Sequence, residues 1–172
     1  MRPPLNPSDT DFPARMGGAA IGARLRRLSA RIDAEAARAY AAAGEAFEQR
    51  WFGVLDQLAR RGPMTVTDLA AVLGITHVSV SQTSQSLQTA GLVASGRDER
   101  DGRKRTLELT DQGRALIERL GPLWRLFDDV SHELNVEAGN VVEALDRLEK
   151  ALARQSFLDR ILVRTGPGPD QT

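Results

Sequence analysis

A strongly charged segment between two short apolar stretches is the part of this sequence with the clearest chemical meaning. Residues 97–105 hold five basic residues, three acidic residues and one glycine, which gives the segment a net charge of plus two. Guanidinium and ammonium groups on such a loop bind the phosphate backbone of a nucleic acid. Because the whole chain has a formal net charge of zero, any affinity for phosphate has to come from a local patch of this kind.

A stretch without basic residues precedes the charged segment. No Lys or Arg occurs from Gly62 through Gly96, and a predicted helix from about His77 to Ala90 carries Ser and Gln side chains instead. Short hydroxyl and amide groups read base edges in the major groove of DNA. The outward face offers the base-contact candidates His77, Val78, Ser81, Gln82 and Gln85. The alternative interpretation is an ordinary solvated helix face.

Two short helices joined by a tight turn would position this face. Thr67 is predicted to N-cap the first helix, which ends at Gly74, and Thr76 to cap the second, which ends at Gly91. Val80 and Leu87, seven residues apart in the second helix, are expected to point inward. The pattern is typical of a helix-turn-helix.

A β-hairpin is predicted to carry the charged segment at its tip. Residues 92–95 and 106–109 are the strand candidates, and Leu107 and Leu109 show the alternation of a half-buried strand. Thr110 is a good N-cap for the helix that follows, where Asp111 suits the positive end of the helix dipole.

Apolar helical regions flank this central module on both sides. Ile21, Leu25, Leu28 and Ile32 form one stripe before Gly44, and a second period runs from Phe47 to Leu58, so we expect two helices or one bent helix. After Thr110 we expect a helix with a bend at Gly121-Pro122 and a last helix from about Glu137 to Val163. Large exposed apolar faces mark association, which favours a homodimer over an ordinary single-chain core.

The segment from Pro63 to Gly113 resembles the winged helix of the multiple antibiotic resistance regulator (MarR) family. The resemblance implies a mainly α fold with a small β-hairpin wing, in which a winged helix-turn-helix lies between N- and C-terminal dimerisation helices. The matched positions are Met64-Thr65, Asp68-Leu69-Ala70, Gly74-Ile75-Thr76, Val80-Ser81, Leu87, Gly91-Leu92-Val93, Asp98 to Arg103 and Leu109-Thr110-Asp111-Gln112-Gly113.

The family pattern also implies roles within the wing. It makes Arg103 the residue that enters the minor groove of DNA and Asp98 the acidic partner that orients the wing. Arg100, Lys104 and Arg105 are then candidates for contacts with the DNA backbone. The chain departs from the family on the recognition helix, where Gln82, Gln85, Ser86 and Gln88 stand at positions that commonly include Arg or Lys. This departure predicts a weak or strongly sequence-dependent binder, or a protein that has lost DNA binding.

A small-molecule effector is a further implication, because the family often binds aromatic or anionic compounds between its dimerisation helices and winged helix. Aromatic and basic side chains in the flanking helices are the candidates for such a pocket, although each is also a plausible core residue. They are Tyr40, Arg50, Trp51, Phe52 and Trp124.

These patterns divide the chain into five predicted parts. They are a disordered leader (1–17), an N-terminal helical dimerisation region (18–62), a winged helix-turn-helix DNA-binding domain (63–113), a C-terminal helical dimerisation region (114–163) and a flexible tail (164–172). The predicted function is a sequence-specific, ligand-responsive repressor that binds a near-palindromic double-stranded DNA operator as a homodimer. The alternative is a winged-helix protein-interaction module with weakened or lost DNA binding.

Composition argues against several other classes of protein. The chain has no cysteine, and its two histidines, His77 and His132, do not lie in a cluster with metal-ligand spacing. No nucleophile elbow or phosphate-binding glycine loop occurs, and charged residues interrupt every apolar run. We therefore expect a cytoplasmic protein that is not an enzyme, has no cofactor or metal and does not bind a membrane.

Overall fold

A computed structural model of the chain describes residues 15–97 and 105–165. The chain divides into two compact units, Met1–Ile117 and Glu118–Thr172. The described elements, after a helical turn at Gly17–Ala20, are α1 (Ile21–Ala42), α2 (Trp51–Arg61), α3 (Val66–Leu73), α4 (His77–Thr89), β1 (Val93–Arg97), β2 (Arg105–Leu109), α5 (Asp111–Glu137), α6 (Val141–Arg154) and α7 (Phe157–Thr165). A mainly α fold with one two-stranded antiparallel sheet confirms the predicted fold class.

The N-terminal region forms two helices rather than one bent helix. Gly44 adopts a φ of +77°, and the backbone N–H of Glu45 donates to the carbonyl of Tyr40 at 3.0 Å, which closes the end of α1. A left-handed glycine after the last helical turn is a common way to stop a helix. The break at Gly44 therefore agrees with the sequence pattern.

Helix α3 begins two residues earlier than predicted. Thr65, not Thr67, is its N-cap, because the Thr65 hydroxyl oxygen accepts from the backbone N–H of Asp68 at 3.1 Å and donates to the Asp68 carboxylate at 2.7 Å. An acidic residue three positions after the cap allows this reciprocal pairing. Met64 just before it pairs with Leu107 of β2 through both backbone groups, at 3.1 and 2.8 Å.

The boundaries of α4 follow the prediction closely. The Thr76 hydroxyl oxygen accepts from the backbone N–H of Ser79 at 3.1 Å, and Gly74 ends α3 with a φ of +64°. Val80 and Leu87 are 0% exposed, so both point inward as expected. Thr83 and Ser84 are buried as well, and the Ser84 hydroxyl donates to the carbonyl of Val80 at 2.7 Å. The inward face of α4 is therefore wider than its apolar residues alone indicate.

Replacing Thr76 with Ala should lower the free energy of unfolding by about 1 kcal/mol, because the N–H of Ser79 then loses its cap. Urea unfolding followed by circular dichroism measures this change. Thr89→Ala is the matched control, since the Thr89 hydroxyl only donates to the carbonyl of Gln85 within the same helix. An equal loss of stability in both variants would contradict the capping role of Thr76.

The hairpin is longer than predicted and extends toward the charged segment. Strands β1 and β2 pair in antiparallel register from Val93 opposite Leu109 to Arg97 opposite Arg105. Leu107 is buried as predicted, and its neighbour Thr106 is buried too. The hairpin therefore leads directly into residues 98–104, which lie outside the described residues.

The second unit corrects the prediction of one last helix from Glu137 to Val163. Helix α6 ends at Arg154, and Ser156 begins α7 by accepting from the backbone N–H of Asp159 at 3.0 Å and donating to its carboxylate at 2.6 Å. This N-cap favours the start of a new helix at Phe157 over continuation of α6. Helix α5 includes Pro122, and the bend expected at Gly121-Pro122 stays a prediction. None of the helices in the described ranges combines the length and apolar character needed to cross a membrane.

Candidate nucleic-acid interface

The outward face of α4 carries the predicted base-contact side chains. His77, Val78, Gln82 and Gln85 are exposed, with Val78 at 64%, and Ser81 is half-buried. Steps of four and three residues from Val78 through Gln82 to Gln85 place these side chains on one side of the helix. Since Val80 and Leu87 fix the opposite side in the core, this face is held outward by packing.

An open groove of about 480 Å³ runs along this face where α4 meets the start of α2. Five of its seven lining residues have polar side chains, and the indole of Trp51 is among the lining groups. The lining residues are Glu48, Trp51, Gln82, Gln85, Ser86, Thr89 and Ala90. Two predicted base-contact residues, Gln82 and Gln85, therefore share a surface with Glu48 and Trp51 at the start of α2.

The hydroxyl of Ser86 joins α4 to the start of α2. It accepts from the indole N–H of Trp51 at 3.0 Å and from the guanidinium of Arg50 at 3.3 Å, and it donates to the carboxylate of Glu48 at 3.3 Å. Arg50 also pairs with Glu48, with Nε 2.6 Å from Oε2. No local pattern predicts this cluster, because about 35 residues separate Ser86 from its partners along the chain.

The predicted effector residues lie in three different environments. Arg50 and Trp51 belong to the Ser86 cluster described above. Tyr40 is only 1% exposed, stacks with Phe47 at a ring distance of 4.5 Å and donates to the amide oxygen of Gln49 at 3.0 Å. Phe52 is half-buried in α2. Trp124, also half-buried, belongs to the second unit.

The base of the wing carries two exposed arginines, Arg97 and the predicted backbone contact Arg105, directly opposite each other in the hairpin. Four further residues predicted to act in the wing lie outside the described residues. They are Asp98, Arg100, Arg103 and Lys104. Like charges opposed across a hairpin repel each other, so these two arginines do not pair with each other.

The Leu-Thr-x-x-Gly motif fastens the hairpin and the end of α4 to α5. The Thr110 hydroxyl donates to the carbonyl of Gly91 at 2.7 Å and accepts from the backbone N–H of Gly113 at 3.0 Å, which confirms the predicted N-cap. A Cβ atom on Gly113 would lie 2.1 Å from the carbonyl oxygen of Leu92. Glycine is therefore required at this position, because the backbones of Gly113 and Leu92 approach each other closely. This approach fixes the start of the hairpin against α5.

A metal-binding arrangement is not present among the residues that the structure describes, where no three His, Asp or Glu side chains come together. His77 lies on the outward face of α4, and His132 is exposed on α5. Among the described side chains, this surface carries hydroxyls, amides, a guanidinium, an imidazole and one indole, which can hydrogen-bond to bases and phosphates, beside the carboxylate of Glu48.

Comparison with known proteins agrees with this geometry. A sequence model of the MarR family matches residues 47–104. The fold is similar to that of BpsR from Bordetella bronchiseptica, whose DNA binding is regulated by 6-hydroxynicotinic acid. The two chains are 23% identical, the match covers 86% of this chain and 98% of that chain, and the TM-score is 0.63. A comparison with curated proteins finds no match.

Two further solved structures share the fold. NMB1585, a MarR family regulator from Neisseria meningitidis, is 23% identical over 78% of this chain and 92% of that chain, with a TM-score of 0.53. PcaV from Streptomyces coelicolor, solved with its natural ligand, is 20% identical over 75% of this chain and 91% of that chain, with a TM-score of 0.55. The matched segment contains α2, the helix-turn-helix and β1, and it identifies residues 47–104 as a segment of the MarR family of winged-helix transcriptional regulators.

Proposed function

We propose that this protein is a homodimeric, ligand-responsive repressor that binds a near-palindromic operator and leaves it when an effector binds. The main support is the outward face of α4, where Gln82, Gln85 and Val78 are exposed on a helix whose other side is buried. Gln side chains pair with adenine, and an apolar side chain contacts the methyl group of thymine. His77 and Ser81 complete the proposed set of base contacts.

The exposed apolar helix faces support the homodimer. Ile21, Leu25, Leu28 and Ile32 of α1 are between 40% and 62% exposed. In the second unit, α6 and α7 contain no buried residue, and Phe157, Leu158, Ile161, Leu162 and Val163 are exposed. Contiguous exposed apolar side chains on helix faces mark association. A two-fold dimer would present its recognition helices to two half-sites about 34 Å apart. In this proposal, residues 18–62 and 114–163 are the dimerisation regions and residues 63–113 are the DNA-binding domain.

The wing supplies the second group of DNA contacts in this proposal. Arg103 enters the minor groove, Asp98 orients it, and Arg100, Lys104 and Arg105 bind the backbone. The two-stranded base of the wing, which ends at Arg97 opposite Arg105, supports this assignment because residues 98–104 join these two strand ends in the sequence.

The effector response has its support in the relatives, since BpsR responds to 6-hydroxynicotinic acid and PcaV binds a natural ligand. The candidate pocket residues in this chain are Tyr40, Arg50, Trp51, Phe52 and Trp124. Trp51 is the candidate that lines the open groove beside Gln82 and Gln85. A ligand seated on that surface would occupy space that a DNA base pair needs.

Two substitutions test the assignment of the wing and of the recognition helix. Arg103→Ala should weaken binding to all DNA duplexes and reduce the steepness of the salt dependence, because a guanidinium in the minor groove lies between phosphates and its loss leaves more counterions on the DNA. Gln82→Ala should instead change the preference among operator variants. Fluorescence anisotropy with promoter DNA and a scrambled duplex measures both effects, and equal binding by wild type and Arg103→Ala would refute the wing assignment.

A protein-interaction module is the second candidate function, and the absence of Lys and Arg from residues 62–96 favours it. A mobility-shift titration with DNA from the promoter of this gene, at two salt concentrations, separates the two functions. A specific complex with a steep salt dependence supports the repressor. Absence of any complex at low salt supports the interaction module.

A further inference from the structure

A guanidinium from outside the recognition helix α4 forms a hydrogen bond with that helix. No Lys or Arg occurs between Gly62 and Gly96, so α4 has no positive charge of its own. Arg50, the residue before α2, donates from Nη2 to the Ser86 hydroxyl on α4 at 3.3 Å. Its guanidinium therefore lies against the recognition helix although it is 36 residues away in the sequence.

The position of Ser86 places this guanidinium beside the proposed base contacts. Ser86 follows Gln82 by four residues and Gln85 by one, and all three line the same open groove. Residues four apart on a helix are neighbours on its surface. A DNA duplex that contacts Gln82 and Gln85 would therefore bring its backbone close to Arg50.

Arg50 keeps most of its hydrogen-bonding capacity for an external anion. Its side chain is 52% exposed, and only Nε, which donates to Glu48, and one N–H of Nη2, which donates to Ser86, have partners among the described residues. A guanidinium has five N–H donors, so three remain. Its planar fork matches the geometry of a phosphate, and the contacts to Glu48 and Ser86 hold that fork in place.

We propose that Arg50 is a DNA-backbone contact, held over the flank of α4 by Ser86 and Glu48, and that it supplies the phosphate-binding charge that the recognition helix lacks. This assignment rests on the proposed DNA binding. The proposal also defines a role for Ser86, which lies on a helix where the family commonly has basic residues. Ser86 accepts the hydrogen bond that holds the guanidinium of Arg50 against α4.

Neutralisation of Glu48 is the competing role for Arg50, and a double substitution distinguishes the two. Glu48 is 48% exposed and lines the groove, so Arg50→Ala alone would also leave an unpaired carboxylate near the DNA. The double variant Arg50→Ala/Glu48→Gln removes that carboxylate as well. Arg61→Ala is the control for charge, because Arg61 is exposed at the other end of α2 and donates only to Gln57 among the described residues.

The experiment is fluorescence anisotropy with the full chain, over a series of salt concentrations. The probes are a duplex from the promoter of this gene and a random-sequence duplex of equal length. Arg50→Ala should bind both duplexes about tenfold more weakly at low salt and should reduce the magnitude of the salt slope by about 0.9 per protomer. Arg50→Lys should keep the slope. The double variant should stay weak, and Arg61→Ala should match wild type.

Recovery of wild-type affinity and slope by Arg50→Ala/Glu48→Gln would overturn the proposal and leave Arg50 as a neutralising residue. Binding by Arg50→Ala equal to that of Arg61→Ala would overturn it as well. Thermal unfolding of each variant excludes a loss of fold as the cause, with Arg50→Lys as the variant that preserves the cluster best. Failure of wild type to bind either duplex at low salt would instead refute the DNA-binding function itself.

Discussion

Gly113→Ala should destabilise the protein by more than about 3 kcal/mol, the upper range for forcing extra atoms into a packed site. The added Cβ would lie 2.1 Å from the carbonyl oxygen of Leu92 and 3.1 Å from its carbonyl carbon. Both are backbone atoms, so no side-chain rotation relieves the clash. The start of α5 would have to move away from Leu92, which would break the bond between the Thr110 hydroxyl and the carbonyl of Gly91 at 2.7 Å.

Chemical unfolding followed by circular dichroism measures this loss of stability. Gly22→Ala in α1 is the matched control, because its new methyl group would meet only the end of the Arg26 side chain at 3.5 Å. Alanine has the higher helix propensity, so Gly22→Ala should keep or raise stability. A Gly113→Ala variant within about 0.5 kcal/mol of wild type would show that α5 does not approach Leu92 this closely.

Leu28→Asp should separate the proposed dimer and with it weaken operator binding. Leu28 lies in the middle of the apolar stripe of α1 and is 49% exposed in the single chain. A two-fold interface would bury the new carboxylate twice, and an unpaired buried charge costs about 3 to 5 kcal/mol. Since about 1.4 kcal/mol corresponds to a tenfold change in Kd, the dimer Kd should rise at least about a hundredfold.

Analytical ultracentrifugation over a concentration series measures the dimer Kd, and circular dichroism checks that the helices remain. Ala30→Asp introduces the same charge at an exposed position on the opposite side of α1, because a step of two residues rotates about 200° around a helix. This control should stay dimeric. A Leu28→Asp protein as dimeric as Ala30→Asp would place the dimer interface elsewhere.

Local sequence patterns were sufficient to predict the order and type of most elements. Thr76, Gly74 and Thr110 act as the predicted caps and stops because capping depends on groups three or four residues away. Val80 and Leu87 are buried because a seven-residue spacing returns to the same helix face. The two errors of this kind, at Thr65 and at Ser156, arose where the cap hydroxyl also donates to the carboxylate of an Asp three residues later.

The sequence by itself determined the fold class, the place of the helix-turn-helix and hairpin, and the exposed face of α4 that carries Gln82 and Gln85, since periodicity and capping are local. Only the tertiary structure decided which distant groups meet: Ser86 with Arg50, Trp51 and Glu48, and Gly113 with the backbone of Leu92. The physical reason is that these contacts depend on how α2 and α5 pack against the end of α4, and packing between elements leaves no periodic signal in either of them.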